Sequence, residues 1–299
     1  MKILLLGGNG QVGHELRRSL VALGEVVITT RDGTLAAGGS CEALDLFALD
    51  TIAPLIERVA PDVVVNATAY TAVDRAENEP ELAFRINAEA PQRIAEVCAA
   101  RSTQLVHYST DYVFDGTGSR PYLEDDATAP LGVYGASKLA GERAIEAAGT
   151  HHLILRTAWV YATHGQNFLR TMLRLARERD ELRVVADQRG SPTPAWLIAD
   201  VTNAILKQGI AEPGVRHIVT QGETSWHGFA EAIMEEAHAR HLIERKPRVV
   251  PITTADFPTR AQRPVYSVMD TGPLRRDYGL SLPDWRQALA TTLTERPAS

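Results

Sequence analysis

The chain has 299 residues, of which 44% are hydrophobic, and 31 Lys and Arg stand against 37 Asp and Glu for a formal net charge of -6. That composition supports a substantial buried core and argues against a disordered chain. The acidic balance offers no basic face for nucleic acid and no polybasic patch for a membrane surface, so a small-molecule ligand is favoured.

Signals for disulfides, metals and targeting are weak. Cys41 and Cys98 lie far apart without a CxxC pair, and the nine His residues form no HExxH or comparable cluster. Neither a disulfide framework nor a zinc site is therefore predicted. The first apolar run, ILLL, is too short for a signal peptide, and no segment reaches the about 20 apolar residues of a membrane span. We expect a protein of the cytoplasm.

Apolar runs of strand length alternate with helical stretches through the first half of the chain. The runs are KILLLG, EVVITT, DVVVNA, QLVHYST and HLILRTAWV, and the segments between them carry apolar residues at helical spacing. Unbroken runs of Val, Ile and Leu are typical of strands that helices cover on both faces. The pattern predicts an α/β fold with a doubly wound parallel sheet of the Rossmann type.

The segment GGNGQVG follows the first predicted strand and opens the first helix, with Gly7, Gly10 and Gly13 in a GxxGxxG frame. A dinucleotide site needs glycine here for the tight turn, for close approach of the backbone to a pyrophosphate, and for contact between helix and strand. The helix N-terminus then presents its N–H groups to the phosphates. In a βαβ pattern, this loop predicts dinucleotide binding.

The end of the second strand indicates which nicotinamide cofactor is used. An acidic residue there would accept hydrogen bonds from the ribose 2′-hydroxyl, and a basic one would suit a 2′-phosphate. Arg31 follows the run EVVITT and favours NADPH. Asp32 is its neighbour, so NADH stays open.

A polar tip and a Tyr/Lys pair provide the candidate chemistry. The fifth run ends in Ser109, Thr110 and Asp111, and Tyr134 and Lys138 follow four residues apart at the start of a helix. Hydride transfer to a carbonyl carbon leaves an alkoxide that needs a proton, and a Tyr can supply it. A nearby Lys and an oxidised nicotinamide would lower the pKa of that Tyr, and a Thr hydroxyl would orient the substrate oxygen.

After about residue 160 the rhythm changes to an amphipathic helix, a short strand and Pro- and Gly-rich connections. We predict a dinucleotide-binding domain over residues 1–160, with a return of the chain to it allowed within 166–210. Residues 161–299 would form mainly a smaller substrate-binding lobe. In that lobe, the guanidinium of Arg263 suits a substrate diphosphate, although a surface ion pair is nearly as good an interpretation.

These residues, in this order, resemble the extended short-chain dehydrogenase/reductase superfamily. Longer segments resemble one family within it, the dTDP-4-dehydrorhamnose reductases: VVVNATAYTAVDRAENEPELAFRINAEAP, HYSTDYVFDG, PLGVYGASKLAGE, RTAWVYATHGQNFLRTMLRLA and DQRGSPTPA. The resemblance implies that NADPH or NADH reduces the 4-keto group of dTDP-4-dehydro-β-L-rhamnose to dTDP-β-L-rhamnose. It also implies a role in dTDP-rhamnose biosynthesis for lipopolysaccharide or O-antigen.

The resemblance also assigns roles to residues of this chain. It implies Thr110, Tyr134 and Lys138 as catalytic residues and Thr110, Asp111, Tyr134 and Trp159 as contacts of the sugar nucleotide. It implies cofactor contacts at Gly10, Gln11, Val12, Asp45, Leu46, Ala69, Tyr70, Thr71, Tyr108 and Lys138, beside Gly7, Gly13 and Arg31 from the loop and strand patterns. Some members of the family are associated with a divalent ion such as Mg²⁺ at a subunit contact, so a homodimer and such an ion stay open here, but nothing in the sequence identifies ion ligands.

Two other functions stay open at this point. A nucleotide-sugar epimerase or dehydratase shares the fold and the Tyr/Lys chemistry, but Tyr112 stands where a dehydratase usually carries Glu. A non-catalytic regulatory relative would bind a partner instead, and the intact Thr110, Tyr134 and Lys138 argue against it.

Overall fold

The structure, a computed structural model, describes residues 1–36 and 38–295. Its strands are β1 (Lys2–Leu6), β2 (Glu25–Thr30), β3 (Glu42–Ala43), β4 (Val63–Asn66), β5 (Gln104–Thr110), β6 (His152–Thr157), β7 (Val160–Tyr161), β8 (Glu181–Val185), β9 (Arg189–Gly190), β10 (Thr193–Pro194), β11 (Gly214–His217), β12 (Thr224–Ser225) and β13 (Arg248–Ile252). Its helices are α1 (Gln11–Ser19), α2 (Ile52–Val59), α3 (Val73–Ala76), α4 (Pro80–Phe84), α5 (Ala90–Arg101), α6 (Val133–Ala147), α7 (Phe168–Glu178), α8 (Ala195–Gln208), α9 (Trp226–Ala239), α10 (Gly272–Tyr278) and α11 (Trp285–Glu295). None of the described helices has the length and apolar character needed to cross a membrane.

Seven parallel strands form the central sheet in the order β11-β6-β5-β4-β1-β2-β3. From β1 the chain builds outward to β2 and β3, and then crosses to the other side for β4, β5 and β6. The strand order therefore reverses between β1 and β4, and ligands of such sheets bind outside the carboxyl ends of the strands at this point. The predicted doubly wound, Rossmann-type fold is confirmed.

The apolar run of β1 is unbroken because both of its faces are covered. Ile3 and Leu5 pack with side chains of α1 and α8, whereas Leu4 and Leu6 pack with side chains of α2, α5 and α6. All four side chains are fully buried. Burial of a side chain of this size stabilises the fold by about 1.5–3 kcal/mol. The two cores therefore fix the strand whose carboxyl end carries the glycine loop.

The predicted run HLILRTAWV is not one strand. β6 ends at Thr157, β7 begins at Val160, and Trp159 between them has a φ of 47°. A left-handed backbone is uncommon for a bulky residue and turns the chain sharply. Propensity gave no sign of this turn, which takes the chain out of the central sheet.

The second lobe has a core of its own. Buried side chains of α7, α9 and α11 pack around the parallel pair of β8 and β13. Between these elements, α8 packs against the same core as α1, and β11 pairs with β6. The predicted boundary at residue 160, and the return within 166–210, stay predictions.

Candidate active site

The glycine loop between β1 and α1 is so tightly closed that a side chain has no room in it. Gly7 has a φ of +88°, and a Cβ on Gly13 would lie 2.0 Å from the carbonyl oxygen of Gly7. Gly10 caps α1 in an extended conformation, so the first N–H groups of the helix, from Gln11 and Val12 onward, have no acceptor within the helix. This cradle of bare backbone suits a pyrophosphate.

Arg31 and Asp32 directly follow β2, and both are exposed. The carboxylate of Asp32 is used within its own loop, where Oδ1 accepts the N–H of Thr34 at 3.0 Å and the hydroxyl of Thr30 at 3.3 Å. Because Asp32 is engaged in this way, Arg31 is the better placed of the two to meet a ribose substituent. The arrangement favours a 2′-phosphate and therefore NADPH.

The loop Ala69–Thr71 is fixed by one buried side chain. Asn87, in the π-helical turn Arg85–Glu89 between α4 and α5, accepts the N–H of Tyr70 at 2.8 Å and donates to its carbonyl at 3.0 Å. The same amide donates to the hydroxyl of Ser137 in α6 at 3.0 Å. Sequence reasoning missed Asn87, and its only sign was a polar residue within the apolar helical pattern RINAEAP.

The other predicted cofactor contacts differ in what they can offer. Asp45 is exposed and accepts the N–H of Phe47 at 3.0 Å, whereas the side chain of Leu46 belongs to the core. The hydroxyl of Tyr108 is buried against Thr202 at 2.7 Å. Because its hydroxyl is used in this way, Tyr108 could contact a cofactor only through its main-chain atoms.

The polar tip of β5 is buried and internally hydrogen-bonded. Thr110 and Asp111 are 5% and 1% exposed, and Thr110 Oγ1 donates to Asp111 Oδ1 at 3.0 Å. Thr110 also accepts the N–H of Tyr112 at 3.2 Å. Burial raises the pKa of Asp111 to about 6, and hydrogen bonds to the carboxylate limit the rise. The threonine is thereby held in one orientation beside Tyr134.

Tyr134 lies in the first turn of α6, and its ring stands edge-on to Tyr112 with 5.5 Å between centroids. Burial raises the pKa of the phenol to about 12, a hydrogen bond with Thr110 lowers it, and the charge of Asp111 raises it. This rise in the pKa of Tyr134 is opposite to the lowering expected from the Tyr/Lys spacing, because desolvation of the phenol outweighs the hydrogen bond. The phenol is a protonated donor at neutral pH.

Lys138 is 1% exposed and anchored to the sheet. Its Nζ donates to the carbonyl of Tyr108 at 2.7 Å and contacts Nε2 of His107 at 3.1 Å. Burial lowers the pKa of Lys138 to about 8, and the charge of Glu142 raises it. His107 is itself fully buried, and burial and the charge of Lys138 lower its pKa. Sequence reasoning missed His107, since it sits inside a strand pattern as a core residue would.

A cavity of about 410 Å³ lies in the second lobe. Its walls include Phe168, Leu175, Trp226 and Phe257, which are apolar, and the polar Gln188 and Arg263. Apolar walls with a few polar groups suit a base with a polar tail.

Trp159, the predicted sugar-nucleotide contact, adjoins one wall of this cavity. Its ring stacks on that of Trp226 at 3.6 Å with 5° between the planes. A Cβ on Gly190 would lie 2.6 Å from the same ring. Trp226 covers one face of Trp159 and Gly190 packs closely against the indole, so only part of this half-buried side chain is left for a ligand.

Arg263 joins the cavity to the catalytic residues. Its Nη2 donates to Asp74 Oδ2 at 2.7 Å, so the ion pair considered for it is present. The charges of Arg263 and Asp74 both act on the pKa of Tyr112, which desolvation raises. Asp74 belongs to α3, which packs against α6, so Arg263 lies on the side of the cavity toward the helix that carries Tyr134.

One group of described residues could offer ligands to a metal ion. Ligand atoms of His14, Glu15 and His164 lie within 4.8 Å of one another. His164 Nε2 already meets Glu15 Oε1 at 2.9 Å, so a Glu–His hydrogen bond accounts for part of the arrangement. Sequence spacing could not reveal the group, because His164 is far from the other two residues in the chain.

Comparison with known proteins places the chain in a family. The sequence profile of the family described as "RmlD substrate binding domain" matches residues 1–297. The chain belongs to this family. It is 49% identical over 300 residues to a dTDP-4-dehydrorhamnose reductase of Burkholderia thailandensis, covering 97% of each protein. It is 43% identical over 298 residues to one of Escherichia coli, covering 99% of this chain and 98% of that protein.

Solved structures agree with the RmlD assignment. The dTDP-4-dehydrorhamnose reductase of Bacillus anthracis, solved in complex with NADP, superposes with a TM-score of 0.89 at 32% identity over 98% of this chain and 99% of that one. The UDP-glucose 4-epimerase of Thermus thermophilus superposes with a TM-score of 0.80 at 19% identity over 98% of each chain. At that identity, the epimerase shows a shared fold and nothing about the reaction of this RmlD-family chain.

Proposed function

We propose that this chain catalyses the NADPH-dependent reduction of the 4-keto group of dTDP-4-dehydro-β-L-rhamnose to dTDP-β-L-rhamnose, a step of dTDP-rhamnose biosynthesis. The observation that carries the proposal is the row of Asp111, Thr110 and Tyr134 beside the anchored Lys138, in a chain of the RmlD family. This set provides a proton donor, an orienting hydroxyl and a buried cation at the carboxyl end of β5.

The cofactor's place follows from the glycine cradle and Arg31. The tight turn at Gly7 and the bare N-terminus of α1 suit the pyrophosphate, and Arg31 suits a 2′-phosphate. When bound, NADPH supplies the hydride. Lys138, whose Nζ is directed by the carbonyl of Tyr108 and by His107, would hold the nicotinamide ribose.

Tyr134 donates the proton that the reduced carbonyl oxygen requires. Its pKa of about 12 keeps it protonated in the resting site, and the positive charges of Lys138 and of an oxidised nicotinamide would favour the phenolate once the proton leaves. Thr110 donates its one hydroxyl proton to Asp111 in the resting site, so it would have to turn that proton from Asp111 to the same oxygen when substrate binds; it would then restrict the approach of the ring. Burial raises the pKa of Asp111 and the hydroxyl of Ser267 lowers it, but no partner lies within hydrogen-bonding distance of the buried Oδ2 among the described residues, so this oxygen suits a sugar hydroxyl.

The cavity of the second lobe would bind the thymidine diphosphate. Its apolar walls suit the base and deoxyribose, and Arg263 at its catalytic end suits the diphosphate. Trp159, with one face on Trp226, would meet the sugar through its remaining face or edge. A cytoplasmic location, a homodimer and any divalent ion stay predictions.

The test is oxidation of NADPH, and separately NADH, by the purified protein with enzymatically generated dTDP-4-dehydro-L-rhamnose. We expect substrate-dependent oxidation with preference for NADPH, and a loss of about a hundredfold to ten-thousandfold in kcat for Tyr134→Phe. The variant removes one hydroxyl and keeps the ring packed on Tyr112, so its melting temperature serves as the control for folding.

Two outcomes would contradict the proposal. Protein that purifies with stoichiometric oxidised cofactor and consumes no added NADPH would point to an epimerase or dehydratase. Cofactor binding without turnover of any nucleotide sugar would point to a non-catalytic relative.

A further inference from the structure

Residues 253–263, here called the strap, line one side of the cavity through Phe257, Thr259 and Arg263. Two carboxylates fasten the strap near its two ends. Near its start, Asp187 accepts the N–H of Thr254, at 2.9 Å through Oδ2, and its hydroxyl at 2.7 Å through Oδ1.

Near the other end of the strap, Asp74 accepts the hydrogen bonds that hold it. Its Oδ1 accepts the N–H of Ala261 at 3.1 Å, and its Oδ2 accepts Nη2 of Arg263 at 2.7 Å. Asp187 precedes the strap in the same lobe, whereas Asp74 belongs to α3, just after the loop Ala69–Thr71 of the central sheet. The end of the strap that carries Arg263 is thus fastened to the half of the chain that would hold the cofactor.

Arg263 is arranged to bind more than Asp74. Its side chain is 24% exposed, and its Nε is buried without a partner among the described residues. A guanidinium has five N–H donors in a planar fork that matches a phosphate. With Nη2 on Asp74, the exposed part of the guanidinium stays available on the cavity wall, on the side toward the helix that carries Tyr134.

We propose that Asp74 is a positioning residue for the substrate diphosphate, since it fixes the guanidinium of Arg263 at the catalytic end of the cavity. The inference rests on the proposed function and deepens it. An arginine near the end of a loop has many rotamers, and fixing it before the ligand arrives removes the entropic cost of ordering it. The diphosphate would then locate the sugar relative to Tyr134.

The charge of Asp74 works against this role, because a carboxylate near a phosphate repels it. If charge alone mattered, Asp74→Asn would bind the diphosphate more tightly. If orientation matters more, the same variant binds it more weakly. The sign of the change in affinity therefore separates the two effects.

The experiment measures the dissociation constants of dTDP and of thymidine by calorimetry for the full-length protein. The variants are Asp74→Asn, Arg263→Met, the double variant, and Glu96→Gln, which removes the charge of an exposed ion pair on α5. We expect Asp74→Asn and Arg263→Met each to weaken dTDP about tenfold and to leave thymidine unchanged. The double variant should bind dTDP no more weakly than Arg263→Met, and Glu96→Gln should match the wild type.

Turnover adds a second readout that a general loss of structure would not reproduce. For Asp74→Asn, the KM for the sugar nucleotide should rise about tenfold, while the KM for NADPH and the melting temperature stay unchanged. Asp187→Asn loosens the other end of the strap and should leave the preference for dTDP over thymidine as it is in the wild type.

Several results would overturn the role of Asp74. They are tighter or unchanged dTDP binding in Asp74→Asn, an equal loss of thymidine affinity, additive effects of Asp74→Asn and Arg263→Met, or the same loss of preference in Asp187→Asn. The dTDP measurement needs no turnover. If the wild type fails to oxidise NADPH but the dTDP results hold, the proposed reaction fails and the role of Asp74 stands.

Discussion

The cofactor-binding half and the substrate cavity are built from different kinds of contact. In the glycine loop of the first, backbone atoms close in sequence determine the shape, as where Gly13 lies against the carbonyl of Gly7. In the second, side chains from distant segments meet, as where Arg263 pairs with Asp74 across 189 positions. Phe257, which lines the cavity, is 58% exposed. From this difference we expect substitutions in the closed glycine loop to lower stability together with cofactor binding, and substitutions of exposed cavity residues to change substrate binding alone.

The largest effect should come from Gly13→Ala. The new Cβ would lie 2.0 Å from the carbonyl oxygen of Gly7, a backbone atom that cannot move without displacing the loop. We expect a loss of NADPH binding together with a fall of ~10 °C in the melting temperature. Fluorescence titration would measure the binding, and circular dichroism would measure the melting temperature. Gly10→Ala is the control for the melting temperature alone, because its Cβ would lie 3.4 Å from the nearest atom. A Gly13→Ala protein that melts at the same temperature as the wild type would show that the closed glycine loop does not contribute to stability as expected.

The next effect concerns Asp111, whose burial raises its pKa from 3.8 to about 6. Between those values the folded state keeps a proton that the unfolded state has released, so the free energy of unfolding falls as pH rises from about 4 to about 6. Above this window the buried charge destabilises the folded state by about 3 kcal/mol.

Asp111→Asn carries no such charge. The urea concentration at which half of this variant is unfolded should therefore exceed that of the wild type at about pH 7 and match it near pH 4. Its kcat should fall at the same time, because Thr110 loses its carboxylate acceptor. Equal midpoints at both pH values would show that the carboxylate is better solvated than its burial indicates.

A smaller effect is expected for Arg31→Ala, which tests cofactor choice within the first half. Loss of the guanidinium should raise the KM for NADPH about tenfold and leave the KM for NADH unchanged. Arg101→Ala, at the end of α5 that leads into the amino end of β5, is the matched loss of charge. An equal change for both cofactors would mean that Arg31 does not meet the 2′-phosphate.

The smallest effect should follow Phe257→Ala in the cavity. Because Phe257 is exposed and lines the cavity wall, its removal should raise the KM for the sugar nucleotide about threefold to fivefold without changing stability. Val265→Ala removes a similarly exposed side chain that does not line the cavity. A fall in melting temperature for Phe257→Ala would remove the distinction between the two halves.

The sequence was sufficient for the fold and for the local motifs of the site. The glycine loop and the Tyr134/Lys138 spacing could be interpreted because their geometry is set by the end of one strand or one turn of one helix. The continuous apolar runs predicted strands covered on both faces, and the structure has them.

Other features needed the structure because their partners are far apart or their signals are ordinary. Asn87 and His107 resemble buried polar residues of any helix or strand, and their roles depend on Tyr70, Ser137 and Lys138. The stacking of Trp159 on Trp226 depends on a left-handed backbone that propensity does not signal.

The anchoring of Lys138 has a consequence for how precisely a bound cofactor must be positioned. A free lysine side chain loses up to about 2 kcal/mol of rotational freedom when it is immobilised. Here the carbonyl of Tyr108 and the ring of His107 fix the ammonium group during folding. In the proposed reaction an arriving ribose would meet a rigid donor, and a ribose displaced by an ångström would lose that hydrogen bond. The fixed ammonium group of Lys138 would therefore favour a cofactor bound in one position over cofactors bound in neighbouring positions.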